Sequence, residues 1–144
     1  MVDSVYAVQL LQSVIALGVL TLVMFLWMYA TRIPAMNKAQ VDPQAAMHPG
    51  SLGVLPSEVR RVADNYNHLF EAPTLFYGLV PVIVLLGHAD ALHVKCAWAY
   101  VGLRVLHSLV QATINKVMIR FLLFSLSWVA MGIMIVREAI AAFA

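Results

Sequence analysis

Residues 60–77 read RRVADNYNHLFEAPTLFY, and in this stretch a charged amphipathic helix passes without a break into a hydrophobic membrane helix. At about 100° per residue, four polar side chains fall within about 60° of one another. They are Arg60, Asp64, Asn67 and Glu71. An acid among apolar neighbours inside a membrane helix is rare unless it is paired or functional. We therefore expect this stripe to form one wall of a polar site near the membrane surface.

The composition is that of an integral membrane protein. The 144 residues are 62% hydrophobic and 11% charged, with a mean hydropathy of +0.86. Four continuous apolar runs are each close to the ~20 residues that cross a hydrocarbon core, and continuous runs favour helices over barrel strands. We predict a single all-α domain over residues 1–144, an integral membrane four-helix bundle. Its spans lie at about 5–30, 67–87, 93–115 and 117–143, with a loop at about 33–56.

Proline positions and capping residues predict where the helices end. Pro34 is expected to stop the first helix. Pro73 is expected to lie inside a second helix that starts outside the bilayer at Ser57 and runs to Gly87. This second helix would place Asn67 at the membrane surface.

Basic residues are concentrated near two of the loops. Those near the long loop and the third loop are Arg32, Lys38, Arg60, Arg61, Lys116 and Arg120, whereas only Lys95 and Arg137 lie toward the other side. The positive-inside rule therefore predicts that the long loop faces the cytoplasm. The short loops and compact chain favour a bacterial inner membrane, and we expect no nucleic-acid partner.

Arg104 lies near the middle of the predicted third span. An arginine at that depth costs at least ~2.5 kcal/mol on insertion scales, so it must face protein, water or a ligand. Glu71 is its expected partner, directly or through a bound ligand. A purely structural ion pair between the two helices is the alternative.

His107 and Gln111 share a helix face with Arg104. A haem would need a second histidine at matching depth, but His68 is expected at the surface with His107 ~12 Å deeper. We therefore expect no metal. Arginine, amide and acidic side chains at the cytoplasmic half of the bundle suit a small zwitterion with several carboxylates. These candidate residues are Arg60, Asn67, Glu71, Arg104, His107, Gln111 and Arg120.

The chain resembles the membrane-associated proteins in eicosanoid and glutathione metabolism, the MAPEG family. The resemblance covers about residues 5–140 and rests on the stretch 60–77, the R-x-x-H of Arg104 and His107, and Arg120 sixteen residues after Arg104. It implies a homotrimer that binds glutathione as co-substrate between neighbouring subunits, in a site open to the cytoplasm. By this resemblance Arg120 would stabilise the glutathione thiolate. Glutathione would be held by Arg60, Asn67, Glu71, Arg104 and His107.

The chain departs from the family pattern R-x-x-x-N-x-x-E in helix two. Arg61 and Asn65 keep the first spacing, but His68 then stands where the acid is expected. Asn67 and Glu71 are instead separated by four residues. Gln111 occupies a place where some members have a tyrosine.

The leading functional hypothesis is a membrane glutathione transferase or peroxidase. A cationic Arg120 would favour the thiolate nucleophile, and a lipophilic small-molecule electrophile would arrive from the lipid bilayer. One alternative is a non-catalytic lipid-binding or scaffold protein of the same fold. A small transporter or quinone-linked subunit is another, against which the absence of an inverted repeat argues.

Overall fold

The computed structural model describes residues 4–48 and 50–143, and the regular secondary structure in these ranges is entirely helical. The helices are α1 (Val5–Lys38), α2 (Ser57–His68), α3 (Ala72–Leu85), α4 (Ala91–Ala112) and α5 (Val117–Phe143), with a short 3₁₀ helix at Pro43–Met47. The helices α2 and α3 follow one another in one continuous stretch, Ser57–Leu85, and together count as one helix of the bundle. The fold is therefore the predicted all-α four-helix bundle.

Three helical stretches are long and apolar enough to cross a membrane: Val5–Lys38, Ser57–Leu85 and Val117–Phe143. Large apolar side chains such as Leu22 on α1 and Val129 on α5 point outward from the bundle, where lipid is their natural solvent. The helix α4 is not among these three, and it carries both Lys95 and Arg104. Its crossing of the membrane remains a prediction.

The core of the bundle forms where α4 meets α1, α3 and α5. The rings of Phe76 on α3 and Tyr100 on α4 stack with centroids 4.7 Å apart. Both are fully buried, as are Leu17 on α1 and Met131 on α5. An aromatic pair of this kind is worth roughly 0.5–1.5 kcal/mol beyond the area it buries. This packing fixes α4, and with it the polar side chains further along the helix.

The prediction that Pro34 ends the first helix is wrong, because α1 continues through Pro34 to Lys38. Pro34 removes its own amide from the hydrogen-bond ladder and its ring crowds the preceding turn, but the helix continues past it. The helix is terminated instead by Gln40, two residues after Lys38, whose φ of 51° is left-handed. The amide of Val41 then donates to the carbonyl of Met36 at 3.0 Å, which closes a Schellman-type turn.

The prediction of an unbroken second helix is also wrong, since α2 ends at His68 and α3 begins at Ala72. Pro73 has no amide hydrogen and its ring would clash with the carbonyl four residues earlier, that of Leu69. A proline is readily accommodated in the first turn of a new helix, and Pro73 lies there in α3. The break turns Glu71 away from the stripe that it would otherwise continue.

The helix α4 is capped at both ends. At its start, the Asp90 carboxylate accepts a hydrogen bond from the amide of His93 at 2.8 Å and also contacts Arg137 of α5. Partial burial alone would raise the pKa of Asp90, but these hydrogen bonds and positive charges lower it below its ordinary value. At its end, Asn115 has a φ of 50° and its amide bonds the carbonyl of Val110. The helix therefore stops at Ala112, whereas the predicted span ran to about Asn115.

Candidate functional site

The helix α2 presents two polar faces to two different parts of the molecule. One face, called here the outer face, carries Arg60, Ala63, Asp64 and Asn67. It lines a pocket of about 460 Å³ together with Arg32 and the loop residues 46–48, 50, 52 and 53. The other face, called here the inner face, carries Arg61, Asn65 and His68. The spacings of four and seven along α2 separate the two faces.

The inner face is bound to the end of α4. The side-chain amide of Asn65 donates to Oε1 of Gln111 at 3.0 Å, and both side chains are buried. Nε of Arg61 donates to the carbonyl of Ala112 at 3.0 Å. Gln111 is therefore engaged by α2. This contact fixes the position of α2 along the axis of α4, called here its height. Sequence reasoning proposed Gln111 for the site and did not propose Asn65 or Arg61.

Arg104 is fully buried beside this contact, at 0% exposure. Its guanidinium carbon lies 5.9 Å from the ring centroid of Phe124, which is cation–π distance. None of its three guanidinium nitrogens has a hydrogen-bond partner among the described residues. A buried cation without a counter-ion carries a large desolvation penalty. An anion bound beside Arg104 would offset that penalty.

Glu71 does not form the expected ion pair with Arg104 within the part of the chain that the structure describes. Its side chain is 66% exposed in the single subunit, and its Oε2 lies 2.6 Å from Nδ1 of His68. The break before Pro73 explains this, because Glu71 no longer continues the helical phase of Asn67. The expected partnership could therefore act only through a bound ligand.

The expectation that His68 and His107 lie far apart in depth is wrong. Their ring centroids are 5.2 Å apart. The expectation placed His68 at the membrane surface, whereas the contact between Asn65 and Gln111 brings α2 down beside the last turns of α4. Both rings also lie against Phe124 of α5, at 5.6 Å for His68 and 6.3 Å for His107.

These aromatic side chains and Arg120 line a second pocket, an open cleft of about 210 Å³. Nη1 of Arg120 donates to Oδ1 of Asn115 at 2.7 Å. Its Nε is buried and has no hydrogen-bond partner in residues 4–48 and 50–143. We call this the Arg120 pocket. It is lined by His68, His107, Val117, Arg120, Phe121 and Phe124.

The structure thus divides the predicted site residues. Arg120 and His107 line the Arg120 pocket, with Arg104 against the same Phe124 ring, whereas Arg60 and Asn67 line the pocket on the outer face. His68 and Phe124 were missed. The spacing of Arg61, Asn65 and His68 was the signal for His68, because it places that ring on the face of α2 that meets α4.

The chemistry available in the Arg120 pocket is stabilisation of an anion in an apolar setting. Arg120 and Arg104 bring two permanent positive charges close to it, and its walls are otherwise aromatic and aliphatic. No group of three His, Cys, Asp or Glu side chains with the geometry of metal ligands occurs among the described residues. An arginine in such a setting interacts with a negative charge more strongly than it would in water.

No curated protein and no solved structure matches the chain. The model of the MAPEG family, however, matches residues 10–140. That match extends from α1 to α5 and includes α2, its break, the inner face and the Arg120 pocket. The chain therefore belongs to the MAPEG family, whose members include glutathione transferases and peroxidases as well as other proteins.

Proposed function

We propose that this protein is a membrane-bound glutathione transferase or peroxidase that acts on lipophilic electrophiles. The observation that carries the proposal is the position of Arg120 in a largely apolar pocket, with one guanidinium nitrogen held by Asn115. Holding the guanidinium in place before substrate binds lowers the reorganisation needed to stabilise a negative charge. The thiolate of glutathione is the nucleophile in such reactions, so a fixed cation beside the sulfur would favour it.

The division of the site residues supports a site shared between subunits of a homotrimer. Within one chain, Arg60 and Asn67 line a different pocket from Arg120. In a cyclic oligomer the surface of one subunit meets a different surface of the next. The outer face of one subunit would then meet the Arg120 pocket of its neighbour. Such an arrangement would put the arginine and amide contacts to the glutathione backbone beside the thiolate-stabilising Arg120.

The apolar wall of the Arg120 pocket suits an electrophile that arrives from the bilayer. Phe121 and Val117 line the pocket and are also among the large apolar side chains exposed on α5. An apolar molecule dissolved in lipid could therefore reach the pocket along α5. Binding both reactants side by side would also contribute to catalysis through proximity.

We propose that the Arg120 pocket lies at the cytoplasmic end of the bundle, in a multi-pass protein of a bacterial inner membrane. The hydrogen bond from Arg61 to the carbonyl of Ala112 joins the start of α2 to the end of α4. The long loop and the turn at 113–116 therefore lie at one end, which is the end rich in basic residues.

A non-catalytic lipid-binding or scaffold protein of the same fold is the second candidate. The observation in its favour is that Oε1 of Gln111 already accepts a hydrogen bond from Asn65 of the same subunit, so this oxygen is engaged within the bundle. A scaffold would need neither a thiolate nor a fixed cation.

Ultraviolet thiolate absorbance distinguishes the two candidates. The protein in detergent is titrated with glutathione across a range of pH, with S-methylglutathione as the control that cannot ionise. The proposal expects a thiolate signal near neutral pH that saturates with glutathione, together with conjugation of a hydrophobic electrophile. Saturable glutathione binding without any thiolate signal would refute the catalytic proposal and favour the scaffold.

A further inference from the structure

The proposed chemistry leaves one proton without an acceptor. Arginine is permanently protonated in proteins, so Arg120 can stabilise a thiolate but cannot remove the thiol hydrogen. We propose that His68, oriented by Glu71, accepts the thiol proton of glutathione in the Arg120 pocket. This inference rests on the proposed function, because it concerns the step that generates the thiolate.

The ring of His68 is contacted by two other rings and, at its edge, by a carboxylate. It stacks on Phe124 with an interplanar angle of 26° and a centroid distance of 5.6 Å, and it lies 5.2 Å from the ring of His107. Its Nδ1 lies 2.6 Å from Oε2 of Glu71. A catalytic base needs a fixed position relative to the proton that it removes, and these three contacts supply one.

Contact with a carboxylate selects the tautomer of the imidazole. When Nδ1–H donates to Glu71, the neutral ring carries its lone pair on Nε2, which is then the proton acceptor. No hydrogen bond between described residues involves Nε2 of His68. The carboxylate also stabilises the imidazolium that forms after the proton is taken up, as an acidic partner does for a catalytic histidine in general.

The proton transfer balances without any further reagent. The S–H bond of glutathione breaks and its electron pair stays on sulfur beside Arg120, while a new N–H bond forms at Nε2 of His68. In an addition reaction, the imidazolium returns this proton to the product carbon. In a substitution, the proton leaves to solvent as the displaced group departs as an anion.

The charges around His68 explain why Glu71 is needed. The Arg120 cation from α5 lines the same pocket, and the Arg104 cation from α4 lies against the same Phe124 ring. Both oppose a positive imidazolium. His107, also from α4, faces the His68 ring. Glu71 is the one acid that contacts His68 among the described residues, so it alone offsets these cations there.

His107 is a poorer candidate for this role. It is 2% exposed, and its Nδ1 is buried without a hydrogen-bond partner in the described part of the chain. No carboxylate there orients its ring, so its tautomer is not selected in this way. We assign it the role of a packing partner that supports one face of His68.

The experiment measures thiolate formation and the pH dependence of kcat/KM in the full-length protein with glutathione and a hydrophobic electrophile. The variants are His68→Gln and Glu71→Gln. The matched control is His88→Gln, because Nδ1 of His88 also lies 2.6 Å from a carboxylate, that of Glu138, but at the opposite end of the bundle.

We expect His68→Gln to slow thiolate formation and turnover by about 10²- to 10⁴-fold near neutral pH, the range of general base catalysis. A third variant, His68→Ala, leaves space for a small base, and added imidazole should restore part of its rate. Glu71→Gln should slow turnover less and displace the acidic limb of kcat/KM, because the imidazolium loses its counter-ion. His88→Gln should keep wild-type rates and the wild-type pH profile.

The possible failures are distinguishable. A wild-type protein that binds glutathione without forming thiolate would refute the proposed function itself. If the wild type forms thiolate while His68→Gln keeps its rate and pH profile, only the role of His68 is refuted. Should His68→Gln not fold, Glu71→Gln still decides, since Glu71 is mostly exposed. An unchanged acidic limb in Glu71→Gln would then overturn the proposal.

Discussion

The side-chain amide of Asn65 donates a 3.0 Å hydrogen bond to Gln111 across the interface between α2 and α4, and both residues are buried. This contact sets the height at which α2 lies against α4. It thereby places His68 beside His107 and builds one wall of the Arg120 pocket. The stability of the pocket should therefore depend on a residue pair that does not line it.

We predict that Asn65 and Gln111 are energetically coupled. Asn65→Ala should destabilise the protein by about 1–3 kcal/mol, because the amide of Gln111 is left buried without its partner. The double replacement with Gln111→Ala should cost less than the sum of the single replacements. Unfolding in detergent, analysed as a double-mutant cycle, measures this coupling. Strictly additive losses would show that the contact does not hold the two helices together.

We predict that Arg120→Ala lowers turnover by about 10- to 1000-fold, a loss of ~1.4–4 kcal/mol in transition-state stabilisation. The thiol of bound glutathione should ionise at higher pH because the adjacent cation is gone. Glutathione affinity should change less, since its other contacts remain. Arg120→Lys is the matched control and should retain part of the thiolate signal. Equal losses of affinity and of turnover would instead assign Arg120 to simple ligand binding.

We predict that two inactive variants recover activity when they share a trimer. One variant carries Arg60→Ala and Asn67→Ala on the outer face, and the other carries Arg120→Ala. If each site combines the outer face of one subunit with the Arg120 pocket of the next, every mixed trimer contains one intact site. Random mixing should then give about a quarter of wild-type activity. No recovery in purified mixed trimers would place both sets of residues in one subunit.

We predict that the long loop faces the cytoplasm. In a Cys96→Ala background, which removes the buried native thiol, Gln44→Cys should resist an impermeant thiol reagent added to intact cells. Leu86→Cys, an exposed position in the turn at the other end, is the control and should react. The reverse pattern would show that the protein has the opposite orientation in the membrane, with the Arg120 pocket open to the other compartment.

We predict that Asp90 stabilises the protein only above acidic pH. Its folded pKa lies below the ordinary value of 3.8, so its contribution is present at neutral pH and is lost as the pH falls through the lowered value. Asp90→Asn keeps an N-cap side chain but removes the charge that faces Arg137. It should cost about 1 kcal/mol or less at pH 7, as for exposed ion pairs. Thermal unfolding should show no such difference at a pH below the folded pKa.

Much of the bundle follows from patterns that are local in the sequence. The bounds of α5, Val117–Phe143, agree with the apolar run that predicts the fourth span. The break before Pro73 was missed because a proline can either kink a membrane helix or start a new one. The local sequence does not choose between these outcomes.

The candidate site was harder to predict because it depends on how far α2 descends beside α4. Counting residues along each helix placed His68 and His107 at different depths, whereas the rings are 5.2 Å apart. The relative height of two helices is set by a long-range contact such as that between Asn65 and Gln111. The pattern Arg61, Asn65 and His68 was visible in the sequence, but nothing local showed that this face meets α4.

The two polar faces of α2 also limit how this protein can change over evolutionary time. Arg60, Asp64 and Asn67 line one pocket on the outer face, and Arg61, Asn65 and His68 lie on the inner face, about 100° around the helix. Of the other positions, Ala63 is buried at the outer-face pocket, Val62 is buried in the core, and Tyr66 lies against Phe25. Because every position from 60 to 68 has such an assignment, a single insertion there would rotate the residues that follow it by about 100° and move outer-face residues onto inner-face positions. We infer that this helix tolerates insertions and deletions poorly over evolutionary time.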